Sequence, residues 1–138
     1  METIKVKTII EIVGTPKEHV EETINKVVTL INENKKFDLI SQDVAEIKEV
    51  DLVTDVKNVW SSFGEFEIEF KNILDLTDFC FEFMPSSVEI IEPEIVKTDG
   101  KDLGQSLNDF LAKLHQYDMT LKKIILQQRA NLKKQNEK

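Results

Sequence analysis

A chain of 138 residues, 41% hydrophobic and 32% charged, with a formal net charge of -8, is long enough for one self-sufficient core without metal or disulfide staples. Its single cysteine, Cys80, leaves no intrachain disulfide, its N-terminus alternates instead of forming an apolar leader, and no apolar run approaches the ~20 residues of a spanning helix. A cytoplasmic protein without membrane contact is expected. The charge is unevenly placed, because residues 1–100 carry 10 lysines against 22 acids (net -12) and residues 101–138 carry 8 basic side chains against 4 acids (net +4). An acidic body argues against a nucleic-acid partner, since phosphate binding is driven by basic neutralisation.

Ile4, Val6, Ile10 and Ile12 alternate with Lys5, Lys7, Ile9, Glu11 and Val13 up to Gly14, which predicts a first strand with one strongly apolar face. Thr15-Pro16-Lys17-Glu18 reads as a helix start, with Thr15 as cap, Pro16 at the first helical position and Glu18 reaching back. The stripe Val20, Ile24, Val27, Val28 and Ile31 predicts an amphipathic helix ending near Asn34. From Phe37 to Val50 the residues favour strand but the parity breaks after Leu39, as a bulge or an edge position would produce. Asp51 to Asn58 has a poor pattern.

Val59 to Phe70 is the clearest strand, with Trp60, Phe66, Ile68 and Phe70 on one face and Phe63, Glu65, Glu67 and Glu69 on the other. Asn72 can cap a short helix carrying Ile73, Leu76, Cys80 and Phe83, which Met84-Pro85 must end. A further strand is predicted from Val88 to about Val96, followed by a turn at Thr98 to Lys101 and a long helix with Asp102 and Gln105 as a capping pair. This order is the split-βαβ plan. The fold class is therefore α+β, a ferredoxin-like βαββαβ antiparallel sheet over residues 1–99 with a long additional C-terminal helix over 100–138. The first and third strands of that plan are antiparallel neighbours, which sets Lys5 and Lys7 beside Glu67 and Glu69, and Ile9 and Val13 beside Phe63 and Val59. The open sheet face is then charged at one end and apolar at the other, and the apolar end offers a dock for the last helix or another molecule.

Leu103, Leu107, Phe110, Leu114, Tyr117, Leu121 and Ile124 recur at alternating steps of four and three, the spacing that keeps one seam of a helix against another surface. Gln128 and Asn131 end the apolar rule, and the terminal turns with Lys133, Lys134 and Lys138 are expected to fray. Leu111, Ile125 and Leu132 widen the stripe beyond a strict heptad, which suits a sheet or a multi-helix bundle better than a two-stranded coil. A helix from Leu103 to Leu132 would be about 45 Å long, against a radius of gyration near ~14 Å for a compact chain of this size. Its first part, through about Leu114, is expected to lie on its own domain and the part from Tyr117 onward to reach a partner. The interaction residues are Leu107, Phe110, Leu114, Tyr117, Leu121, Ile124 and Ile125, and the partner is a second copy or another protein.

Catalytic groupings are hard to find. Phe63-Gly64 sits where RNA-recognition strands carry an aromatic and a glycine, but Glu65, Glu67 and Glu69 occupy the positions where bases would stack. Those three glutamates read as a solvated face ahead of a cation site. His19 and His115 lie on different helices without a second ligand at metal spacing, and Asp118 is a plain helical neighbour of His115. Cys80, between Phe79, Phe81 and Phe83, reads as an inert buried thiol. No cofactor is implied, since phosphate-cradle and zinc-binding motifs are missing from the sequence.

Met84-Pro85-Ser86-Ser87-Val88-Glu89-Ile90-Ile91-Glu92-Pro93-Glu94, with the helix from Ile73 before it, resembles the helix-to-last-strand junction in the ferredoxin-like C-terminal extension of WYL-type bacterial regulators. The whole arrangement, including Leu114-His115-Gln116-Tyr117-Asp118, is similar to small uncharacterised archaeal proteins. Neither resemblance implies an activity. The ACT domains share the strand order, and their glycine-bearing ligand turn is matched here by Val13-Gly14-Thr15. The functional reading is a non-enzymatic, self-associating interaction module, with an ACT-like small-molecule sensor as the alternative.

Overall fold

The structure is a computed structural model that describes residues 2–51 and 58–137, so the segment of poor pattern lies mostly outside the described residues, as does Lys138. The elements are β1 (Ile4–Gly14), α1 (Lys17–Glu33), β2 (Phe37–Val44), β3 (Lys48–Glu49), β4 (Trp60–Phe70), α2 (Ile73–Phe83), β5 (Ser87–Glu92) and α3 (Gly100–Asn136). All pairings are antiparallel and the sheet order is β2-β4-β1-β5, with β3 on the first residues of β4. This is the ferredoxin-like strand order, extended by the 37 residues of α3.

The period-2 pattern of the two long strands places the core. Ile4, Val6 and Ile10 of β1 and Phe66, Ile68 and Phe70 of β4 are buried under Val20, Ile24 and Ile31 of α1 and under Leu76 and Phe79 of α2. Phe79 meets Phe37 and Phe70 edge to face with ring centroids 5.4 and 5.5 Å apart, a geometry in which the positive ring edge faces the negative ring face, and Phe37 and Phe70 are tilted against each other at 5.3 Å. Phe79 is thus the centre of the α2 stripe, and Ile73, Cys80 and Phe83 flank it partly buried. Buried Thr8 is satisfied by donating to the Ser87 carbonyl at 2.9 Å. The broken parity of the second strand is real, for β2 is an edge strand with a register shift between Leu39 and Ser41.

Several local expectations are corrected. Helix α1 starts at Lys17, so Pro16 holds the cap position and Thr15 lies one residue too early to cap; no side chain does so. Strand β5 ends at Glu92 instead of running to Val96, because Pro93 has no N–H to continue the ladder, and Val96 packs on the core from the loop. The cap of α3 is Asp99, which accepts from the Asp102 N–H at 2.7 Å, while Gln105 donates to Asp109 at 2.9 Å.

The β1–β4 ladder sets Lys5 opposite Glu69 and Lys7 opposite Glu67, as expected, but Ile9 opposite Glu65 and Val13 opposite Ser61. Phe63 faces Glu11 and sits diagonal to Ile9 and Val13. An antiparallel ladder without a bulge keeps one register throughout, so the charged and apolar pairings expected from sequence could not both hold. Helix α3 does not dock on the open sheet face. The loop after β5 turns to the helix-covered side, where Val96 meets the core, and α3 packs beside α2.

Candidate functional site: the apolar flank of helix α3

Contact between α3 and α2 is made by a narrow and mostly polar stripe. Ser106 is 4% exposed, and its hydroxyl lies 3.0 Å from that of Thr77. Thr77 gives its own proton to the Leu74 carbonyl at 3.0 Å, so Ser106 is the donor of the pair. Asp102, Asp109 and Lys113 are half-buried on the same stripe. Phe110 stacks on Phe81 with centroids 5.9 Å apart, and Tyr117 O–H donates to the Met84 sulfur at 3.3 Å.

The apolar seam is the next stripe round the helix. Leu103, Leu107 and Leu114 each follow one residue after Asp102, Ser106 and Lys113, a rotation of about 100°. Consequently they point past α2. Leu103, Leu107, Leu111, Leu114, Leu121, Ile124 and Ile125 are all between 39% and 57% exposed. Phe110 and Tyr117 stand at the boundary, one against Phe81 of α2 and the other against the Met84 cap after it, and remain 46% and 48% exposed. Of the seven interaction residues read from the sequence, Phe110 thus stacks on α2 and Tyr117 reaches the Met84 turn after it. The division expected near Leu114 is therefore lateral as well as lengthwise, because even the first half of the seam is open. Beside Leu114 the two helices leave an apolar recess of about 430 Å³, lined also by Cys80, Phe81, Met84, Phe110 and Tyr117.

One apolar feature was not found from the sequence. Val88 and Ile90 of β5 have core-face parity, opposite Thr8 and Val6, yet stay 41% and 42% exposed. Helices α1 and α2 pack chiefly on β1 and β4 and leave the edge strand bare. Sequence alternation reports which side a residue faces but not whether a helix reaches over it.

The remaining candidates take ordinary roles. His19 and His115 are exposed, on α1 and α3, and Asp118 pairs with Lys122 at 2.8 Å. Burial pushes the Cys80 thiol above its usual range, which suppresses the reactive thiolate. Glu65 is held by Lys7 at 2.7 Å. Gly14, in the turn compared with ACT domains, has no positive φ, and a Cβ there would meet Val20 and His19 at an ordinary 3.7 and 3.8 Å. At Gly64 a Cβ would approach the Phe66 ring to 2.7 Å, so close packing with the core explains this glycine. No described helix is long and apolar enough to cross a membrane.

Comparison with known proteins places the chain. A protein of Methanocaldococcus jannaschii named "Uncharacterized protein MJ0538" is 28% identical over 106 residues, which are 75% of this chain and 38% of that relative. The chain thus spans well under half the length of the curated relative it matches. No solved structure matches. The resemblance to small archaeal proteins is met by these findings, whereas the one to WYL-type regulators at residues 73–94 is not among them. The family model matches residues 5–137, from the start of β1 to the end of α3, and the chain accordingly belongs to the MJ0538 family.

Proposed function

We propose that the chain is a cytoplasmic, non-enzymatic interaction module that associates with itself through α3. The observation that carries this reading is the lateral offset between contact and seam: α3 is anchored to its own domain by Ser106 and its neighbours, while the continuous apolar stripe beside them faces outward. A contiguous apolar surface larger than a few hundred Å² is costly to leave in water and marks a protein-binding face. The long helix also extends past α2, whose last contact with it is near Tyr117 and Met84.

Sedimentation velocity tests the reading. The wild-type chain is expected to sediment as a dimer at micromolar concentration, and Leu114→Asp as a monomer with unchanged helix content, since Leu114 is already 47% exposed in the single copy. A wild-type monomer at that concentration sinks the reading.

A further inference from the structure

We infer that two copies pair their α3 helices antiparallel, about a two-fold axis at Leu114. The inference rests on the self-association proposed above and specifies its geometry. Around such an axis position 114+n of one copy meets position 114-n of the other. The seam is close to a palindrome about this point. Leu111 and Tyr117 lie three residues either side of Leu114, Leu107 and Leu121 lie seven, and Leu103 and Ile125 lie eleven. Seven of the nine seam residues therefore meet one another over roughly 34 Å of helix, while Phe110 and Ile124 fall opposite Asp118 and Gly104.

Parallel pairing in register would also set like against like, and the charges separate the two. Beyond Met119 the helix carries Lys122, Lys123, Arg129, Lys133 and Lys134 with Glu137 as the one described acid, whereas its first half, with Asp102, Asp109 and Asp118 against Lys101 and Lys113, is slightly acidic behind the Asp99 cap. Parallel copies would run these cations alongside each other. Antiparallel copies bring Arg129 level with Asp99 of the second copy and oppose the helix dipoles. Each projecting end is then covered by the domain-bearing half of the other helix.

The area is sufficient. Nine side chains, Leu103, Leu107, Phe110, Leu111, Leu114, Tyr117, Leu121, Ile124 and Ile125, are each about half exposed. At on the order of 80 Å² apiece they offer roughly 700 Å² per copy, against about 800 Å² per partner in a standard stable interface. The apolar recess beside Leu114 lies at the level of the axis, where Leu114 of the second copy also lies.

Cysteine cross-linking decides the geometry. In the full chain with Cys80→Ser, single Leu107→Cys and Leu121→Cys variants are oxidised separately and as an equal mixture. In the antiparallel pair, two copies of residue 107 lie about 21 Å apart along the axis, far beyond the ~6 Å between Cα atoms that a disulfide spans. Each variant alone is expected to stay unlinked, and the mixture to give a linked dimer. Linking of each variant with itself would show a parallel pair, overturning the geometry and keeping self-association. A chain that sediments as a dimer but links in no combination overturns the geometry as well, and a chain that sediments as a monomer overturns both.

Discussion

Adjacent residues of α3 should respond in opposite ways to substitution, because one stripe holds the helix to its domain and the next is open. Ser106→Leu places an aliphatic side chain where 4% of the residue is exposed and removes the hydroxyl that donates to Thr77. Overpacking costs about 1–3 kcal/mol, and the lost hydrogen bond costs about 0.5–1.5 kcal/mol more. The folded single copy should therefore lose roughly 2–4 kcal/mol, even though leucine is the better helix former. Leu107→Ser is the mirror case. Leu107 is 54% exposed before any association, so the single copy should change by no more than about 0.5 kcal/mol. On pairing, however, each copy forfeits about half of the ~1.5–3 kcal/mol that full burial of a leucine supplies. Over two copies that amounts to about 1.5–3 kcal/mol, or a roughly 10- to 150-fold rise in Kd. Urea denaturation followed by circular dichroism in dilute samples reads the first quantity, and sedimentation equilibrium reads the second. A Leu107→Ser chain that is strongly destabilised when dilute, or a Ser106→Leu chain of wild-type stability, would refute the assignment of the two stripes.

Two further predictions concern the sheet. Gly64→Ala should destabilise by about 1–3 kcal/mol, since the new methyl meets a Phe66 ring that is 0% exposed and cannot turn away; Gly14→Ala, with ordinary contacts only, should stay within about 0.5 kcal/mol, and thermal melts compare the two. The hydrogen bond from Lys7 to Glu65 raises the lysine pKa above its usual 10.5. A folded pKa raised above the unfolded one stabilises the fold below the lysine range and ceases to do so as pH rises through the raised value. The advantage of wild type over Lys7→Met should thus be present at neutral pH, vanish in strong alkali and shrink in salt; an advantage that persists in alkali would show that packing, not the ion pair, is responsible.

Much of the fold was legible in sequence because its long elements are strongly periodic. The alternation in Ile4–Gly14 and Trp60–Phe70, and the α1 stripe from Val20 to Ile31, each reflect burial on one side of a regular backbone, and the structure buries those residues. Some errors fall where a one-residue offset changes the outcome. Thr15 and Asp102 are good cap residues in the wrong place, displaced by helix starts at Lys17 and Gly100. Phe79 was passed over because Cys80 occupies the neighbouring helical position and either choice completes an apolar stripe.

For the candidate site, the sequence by itself determined that α3 is long and that its apolar residues form one continuous seam, since helical periodicity is a local property. It also determined that the charge changes sign along the chain. Only the tertiary structure decided which side of α3 touches its own domain. That choice turns on a rotation of about 100° per residue and on the small volume of Ser106, which lets α3 approach Thr77 closely. A leucine stripe is the stronger pattern in the sequence, yet the close helix contact was made by a serine. The seam stays exposed on the single chain because the core beneath α1 and α2 is already closed by Leu76, Phe79 and the aromatic cluster around them.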